Sequence, residues 1–304
     1  MSDHGHDHNH AESFLGGAFW IALVILLAEV LGGAFSHSLA LLSDAGHMLT
    51  DVGSLALAWY ASRLASRSPT AHRTYGYHRA GILAALLNAG LLILVAVIIL
   101  VEAIARFRSP VPVTPWIMWV TAGIGLTGNL AIGIGLGHDH HHGNLNVRSA
   151  WLHVMGDAAA SAGVLAAAVL IRLTGQLWWD PFVSVAIALL IARGAWTIVS
   201  ETIEVLMEGV PSGTDPAAVA AALVADDAVL SVHHLHVWSL DAQRKAMSGH
   251  VVLRDVPLSE AQAVVVRLSR RLRDACGIAH ATLQAESGPG DCPCGACVLG
   301  QQAP

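Results

Sequence analysis

Six apolar runs fill the chain up to Val205, at about residues 14–35, 39–64, 81–105, 116–137, 146–172 and 181–205. Each is near the ~20 residues that cross a bilayer as a helix. In hydrocarbon a backbone N–H or C=O has no water to bond, so a run of this length closes its hydrogen bonds internally as an α-helix. Composition agrees: of 304 residues, 54% are hydrophobic and 12% charged, against about 25% charged in a soluble domain. The expectation is a lipid-embedded protein with six transmembrane helices. A formal net charge of −6 leaves no basic footprint for nucleic acid. SDHGHDHNH, after Met1, is not the basic start of a cleavable signal peptide.

The second run is the unusual one. Residues 41–60 read LLSDAGHMLTDVGSLALAWY and place Asp44, His47 and Asp51 inside a bilayer-spanning segment. A carboxylate near mid-bilayer costs about 2.5–3.5 kcal/mol on insertion scales and marks a functional site by default. His47 and Asp51 are four residues apart, so on a helix they share a face, one turn apart. The same spacing returns in the fifth run as His153 and Asp157. Two imidazoles and two carboxylates suit a tetrahedral Zn2+ ion, whose charge the carboxylates cancel. The competing reading is that such residues bond helix to helix, and two matched pairs weigh against it. Asp44, three before His47, is either a further ligand or a hydrogen-bond partner that orients the imidazole. Glu29, in the first run, either lines the ion route or bonds a neighbouring helix.

Histidine is over-used elsewhere too. Residues 1–12 carry His4, His6, His8 and His10 without apolar periodicity and are expected to be a disordered tail, either metal-collecting or simply polar. Between the fourth and fifth runs, residues 138–143 hold His138, His140, His141 and His142, a metal-collecting loop or a solvated linker. Arginines favour one side: Arg63, Arg67, Arg73, Arg79 and Arg148 lie in the loops that share a side with the termini. Arg106, Arg108 and Arg172 lie opposite. That bias places both termini in the cytoplasm, and the Ala- and Gly-rich composition points to a bacterial inner membrane.

The transmembrane part therefore covers residues 13–209, and a soluble part covers 210–288. Asp215-Pro216 opens a helix to about Ala225. Ser231–Leu240 and Ala246–Leu253 read as a hairpin. Ser259-x-x-Gln262 is a capping box for a helix to about Ala275, and Ala279–Glu286 is a last strand. The order αββαβ predicts a small α+β domain with its helices on one sheet face. A tail, 289–304, contains Cys294-Gly-Ala-Cys297, spaced for one metal or for a redox pair.

Taken together, LLSDAGHMLTD, TYGYHRAGILAALLNA, NVRSAWLHVMGDAAASAGVLAA, WWDPFVSVAIALLIA and VHHLHVW, in this order, make nearly the whole chain resemble the cation diffusion facilitator family of zinc-efflux proteins. The resemblance implies six spans, a metallochaperone-like cytoplasmic domain, a homodimer and exchange of a divalent ion for protons. It implies His47, Asp51, His153 and Asp157 as the transport site, in a zinc-preferring combination. It also implies zinc in the soluble domain on His233 and His250, with His236 and Glu286 as further candidates. Gln284 stands where some members have a third histidine. Cys294 and Cys297 resemble a terminal metal-binding pair. Arg79 and Glu208 match a charge pair that locks the dimer in some members. Thr70 and Arg73 stand where a peripheral metal site would need ligands. An intramembrane metalloenzyme is the rival class, but no HExxH motif occurs. A membrane-anchored zinc sensor is the other, and it leaves both HxxxD pairs without a purpose.

Overall fold

The computed structural model describes residues 6–138, 145–241 and 244–287. Six long helices come first: α1 (His6–Ser36), α2 (Leu39–Ala65), α3 (Ala80–Arg108), α4 (Pro115–His138), α5 (Leu145–Thr174) and α6 (Trp179–Leu206). Then follow α7 (Pro216–Val224), β1 (Val229–Ser239), β2 (Lys245–Leu253), α8 (Leu258–Cys276) and β3 (Ile278–Ser287). The chain forms two compact units. One comprises Met1–Ala56 and Leu87–Thr197, the other Leu57–Leu86 and Ile198–Pro304.

Among the described residues, four helices are long and apolar enough to cross a membrane: Ala80–Arg108, Pro115–Gly135, Trp151–Thr174 and Trp179–Leu206. In α1 the apolar stretch among the residues searched is the shorter Trp20–Ser36. Helix α2 has 27 residues but is not among the four. Ser43, Asp44, His47, Thr50, Asp51 and Ser54 dilute its apolar character, so its place in the bilayer depends on neighbours that shield those groups. The helical unit has the packing logic of a protein in lipid. Ala40, Ala96, Ala122 and Ala167 are buried, whereas Leu27, Leu94, Ile98, Leu190 and Trp196 face outward. Small residues let helices approach, and large apolar ones meet the acyl chains.

One expectation changes at the N-terminus. Residues 6–12, read as a disordered tail, continue α1. No glycine or proline interrupts the chain between His6 and Gly16, so nothing stops the helix from propagating outward.

The turn from α1 to α2 is only His37 and Ser38, with His37 at φ +57°. The first N–H groups of α2 are all accounted for. Leu41 donates to Ser38 Oγ at 3.3 Å. Leu39 and Ala40 donate to the carboxylate of Asp180, on α6, at 2.8 and 3.2 Å. Asp180-Pro181 has the form of a start signal for α6, yet in the structure Asp180 caps α2 instead. Arg106, in the last turn of α3, completes the charge balance at 3.4 Å from Asp180.

In the C-terminal domain β1 and β2 pair antiparallel, and β2 and β3 parallel, giving the order β1-β2-β3. The β2–α8–β3 segment is thus a βαβ crossover. Asp215 caps α7, accepting from Ala217 N at 2.9 Å, with Pro216 in the first turn. The predicted capping box at Ser259 does not form: the cap position falls two residues earlier, on Pro257, with no side-chain cap bond. Buried Ala261, Val264, Leu268 and Leu272 give α8 one apolar face. That face packs with Val219 and Leu223 of α7 on Leu235, Val237, Met247 and Val251 of the sheet.

Candidate metal centres

His47 and Asp51 sit one turn apart on α2, and His153 and Asp157 one turn apart on α5. The two helices bring the pairs face to face. His47 Nε2 lies 3.6 Å from Asp51 Oδ2 and 3.6 Å from Asp157 Oδ1. His153 Nε2 lies 3.3 Å from Asp51 Oδ2 and 3.8 Å from Asp157 Oδ2. The imidazole rings stand edge to face, 5.8 Å apart. Ligand atoms of His47, Asp51 and His153 all fall within 4.8 Å of one another. A tetrahedral zinc ion, bonded at about 2.0–2.1 Å, separates its donors by roughly 3.3 Å. The four imidazole–carboxylate spacings are at that value or slightly above it, while Asp157, which turns a different oxygen to each histidine, lies outside the close group of three. Nitrogen and carboxylate oxygen are also the donors that zinc accepts. The site is reachable, with side-chain exposures of 22% for His47 and 50% for His153.

Asp44 is not the orienting partner of His47. The Nδ1 atom of His47 is buried without a hydrogen-bond partner. Asp44 instead accepts from Ser161 Oγ, on α5, at 3.3 Å. Glu29 of α1 reaches the same buried spot: a Cβ on Gly125 would lie 2.7 Å from Glu29 Oε1 and 2.9 Å from Ser161 Oγ. Motif spacing alone does not single out Ser161, although it lies four residues beyond Asp157 on the same face of α5.

A second cluster lies on the sheet face away from the helices. His233 of β1 pairs with His250 of β2, which pairs with Gln284 of β3. Two residues on, Glu286 projects from the same face as Gln284. His233 Nε2 is 2.9 Å from Glu286 Oε2, and His250 Nδ1 is 2.7 Å from Glu286 Oε1. These three residues could hold one metal ion. Gln284, in place of a third imidazole, donates to Glu286 Oε1 at 3.0 Å. Burial pushes the Glu286 carboxyl up, but the His233 and His250 contacts outweigh it and hold it below the usual range. A β-bulge between His233 and His236, with His234 at φ +52°, keeps both His233 and His236 on this face. His236 nonetheless stays outside the trio, exposed and edge-on to His234 at 4.6 Å.

Arg79 Nη2 and Glu208 Oε1 meet at 3.3 Å within one chain. Both side chains are exposed, so the pair is worth about 0–1 kcal/mol by itself. Thr70 and Arg73 close a tight turn with each other, at 3.1 and 3.0 Å between backbone groups. No metal-ligating group forms there among the described residues. His138 ends α4; His140, His141, His142, Cys294 and Cys297 lie outside the described residues.

Residues 17–207 match the family model described as the cation efflux transmembrane domain, and residues 211–288 match that of the cation efflux protein cytoplasmic domain. Among known proteins, the chain is 38% identical over 289 residues to the cadmium, cobalt and zinc/H(+)-K(+) antiporter of Bacillus velezensis, covering 93% of this chain and 92% of that one. It is 40% identical over 288 residues to the metal cation efflux system protein CzcD of Cupriavidus metallidurans, covering 94% and 90%. It is 38% identical over 298 residues to the zinc transporter ZitB of Escherichia coli, covering 93% of each. A solved metal-bound C-terminal domain of the CzcD transporter is 33% identical, with coverage of 24% of this chain and 99% of that one and a TM-score of 0.22.

Proposed function

The chain belongs to the cation efflux family of multi-pass membrane transporters, and from that membership and the helical site we propose that it exports zinc from the cytoplasm in exchange for protons. The observation that carries this reading is the set of four imidazole–carboxylate spacings of 3.3 to 3.8 Å between α2 and α5. His47, Asp51, His153 and Asp157 are the transport ligands. Metal needs neutral imidazole and ionised carboxylate, so a site of this make-up binds either zinc or protons. Loaded from a near-neutral cytoplasm and discharged against a more acidic exterior, the same four groups couple the two fluxes. Rocking of helix groups about the site opens it to each side in turn.

The protein works as a homodimer in a bacterial inner membrane, with both termini cytoplasmic. His233, His250 and Glu286 are the resident zinc ligands of the soluble domain; their donor set fits zinc, with two nitrogens and a carboxylate. An ion there would tie β1, β2 and β3 together on the face away from the helices.

The test is zinc flux into proteoliposomes containing the full chain. Asp51→Ala keeps its size-exclusion profile but loses uptake by more than about 100-fold, because even an outer partner of a ligand is worth about 10–100-fold. Uptake at the wild-type rate in this variant removes the site assignment. Absence of flux in the wild type itself leaves a membrane-anchored sensor as the better reading.

A further inference from the structure

Glu29 and Asp44 are buried carboxylates of the helical unit that lie outside the metal shell and, unlike Asp180, have no arginine beside them among the described residues. Both are sealed from solvent, at 0% and 1% exposure. Glu29 comes from α1 and Asp44 from α2, and both carboxyl groups reach the same buried spot beside Ser161 Oγ. Among the described residues, both oxygens of Glu29 and Oδ1 of Asp44 have no donor. The one donor supplied is Ser161 Oγ, at 3.3 Å from Asp44 Oδ2. Space for the Glu29 carboxyl is left by α4: a Cβ on Gly125 would lie 2.7 Å from Glu29 Oε1 and 2.9 Å from Ser161 Oγ. The other charged groups that act on the pair are Asp51 and Asp157, both acids.

An ionised carboxylate only accepts hydrogen bonds. Two of them face to face, with no cation beside them and no water route, would each forfeit several kcal/mol of solvation. One proton between them converts an acceptor–acceptor clash into a charge-assisted O–H···O bond. A divalent metal is a poorer answer, since Asp44 and Glu29 offer it no nitrogen and the ligand-competent groups are Asp51, His47 and His153.

We propose that Glu29 and Asp44 share one bound proton that bridges α1 to α2, and that this proton is surrendered each time the two helices part during transport, making the pair a second counter-ion site. Before parting, the pair is one carboxylic acid bonded to one carboxylate. Afterwards the O–H bond is broken, the proton passes to water, and two carboxylates repel across the opened gap. Reprotonation draws the helices back. Asp44 lies one turn from His47 on α2, so the movement that frees the proton also moves the metal ligands. The inference rests on the metal–proton exchange proposed above and adds a proton carrier outside the metal shell.

Two measurements on the full-length protein test it. Infrared difference spectroscopy reads the carbonyl band of a buried carboxylic acid, which is present in the zinc-free wild type and lost in Glu29→Gln. Proteoliposome flux at clamped voltage reads protons moved per zinc, which falls by one in Glu29→Gln and again in Asp44→Asn, the variant to use where the first does not fold. An absent band in the wild type overturns the proposal. So does a band with an unchanged proton count, which would make the bond purely structural, or loss of one bound zinc per chain in Glu29→Gln, which would make the pair a metal site. A wild type that moves zinc without protons overturns the exchange reading as well, and is distinguished by the wild-type flux alone.

Discussion

The same side chain does different work according to what faces it. Asp226 is gripped by the guanidinium fork of Arg267, at 2.7 and 2.9 Å, and accepts from Ala228 N at 3.2 Å. Asp51 and Asp157 meet only imidazoles. A carboxylate paired with arginine already has its charge balanced; one facing imidazoles sits among groups that can bind either a metal ion or a proton. The Arg267 hydrogen bonds, opposed by burial, lower Asp226 to about 2. An unfolded aspartate titrates near ~3.9. The folded value is the lower one, so this interaction contributes fully above about pH 4 and is lost as pH falls toward about 2. Asp226→Asn should lower stability on the order of 1 kcal/mol at neutral pH and flatten the acid limb of the melting curve between pH 4 and pH 2. Parallel melting curves of variant and wild type across that range would show that the fork adds nothing. None of this could be read from the sequence, because Asp226 and Arg267 are 41 residues apart and nothing local pairs them.

Elements were legible where their cause was local and opaque where it was not. The HxxxD spacing placed His47 with Asp51 and His153 with Asp157, because helix periodicity alone sets that geometry. The hairpin and the αββαβ order were equally plain from alternation and turn residues. The capping box at Ser259 failed because Pro257 starts the helix earlier, and either start satisfies local propensity. The β-bulge at His233–His236, which puts both histidines on one sheet face, left no local signature. Asp180 is the clearest case of a distant cause. Its DP pair reads as a helix start, and the residue does lie in the first turn of α6, yet its oxygens are spent on the N-terminus of α2. Losing a cap costs about 0.5–2 kcal/mol, and here the helix that frays is the one bearing His47 and Asp51. Asp180→Ala should therefore lower both thermal stability and zinc uptake. Asp180→Asn, which keeps one acceptor oxygen, should recover part of each. Uptake in Asp180→Ala equal to wild type, measured alongside a lowered melting point, would show that the cap is not needed to position the metal ligands.

For the whole molecule, the physical question is how far a proton gradient can drive zinc uphill. Each proton crossing one unit of pH releases about 1.36 kcal/mol, a factor of ten in an equilibrium ratio. At zero membrane voltage, a carrier that exchanges n protons per zinc holds a limiting zinc ratio that rises n-fold in log units for every pH unit imposed. A pump driven by anything else has no such slope, and a channel dissipates the zinc ratio whatever the pH. The donor set confines n to a small number: two imidazoles and two carboxylates in the metal shell, and one shared proton at Glu29 and Asp44. Full-length protein in vesicles, with the zinc-receiving side made progressively more acidic, should give a limiting zinc ratio rising at least tenfold per pH unit. The slope should be shallower by tenfold per pH unit in Glu29→Gln. Asp51→Ala should show no accumulation at any gradient, because the metal shell itself is broken. A limiting ratio indifferent to pH in the wild type would uncouple the two ions and remove protons from the transport cycle, leaving the metal shell of α2 and α5 intact as a zinc site.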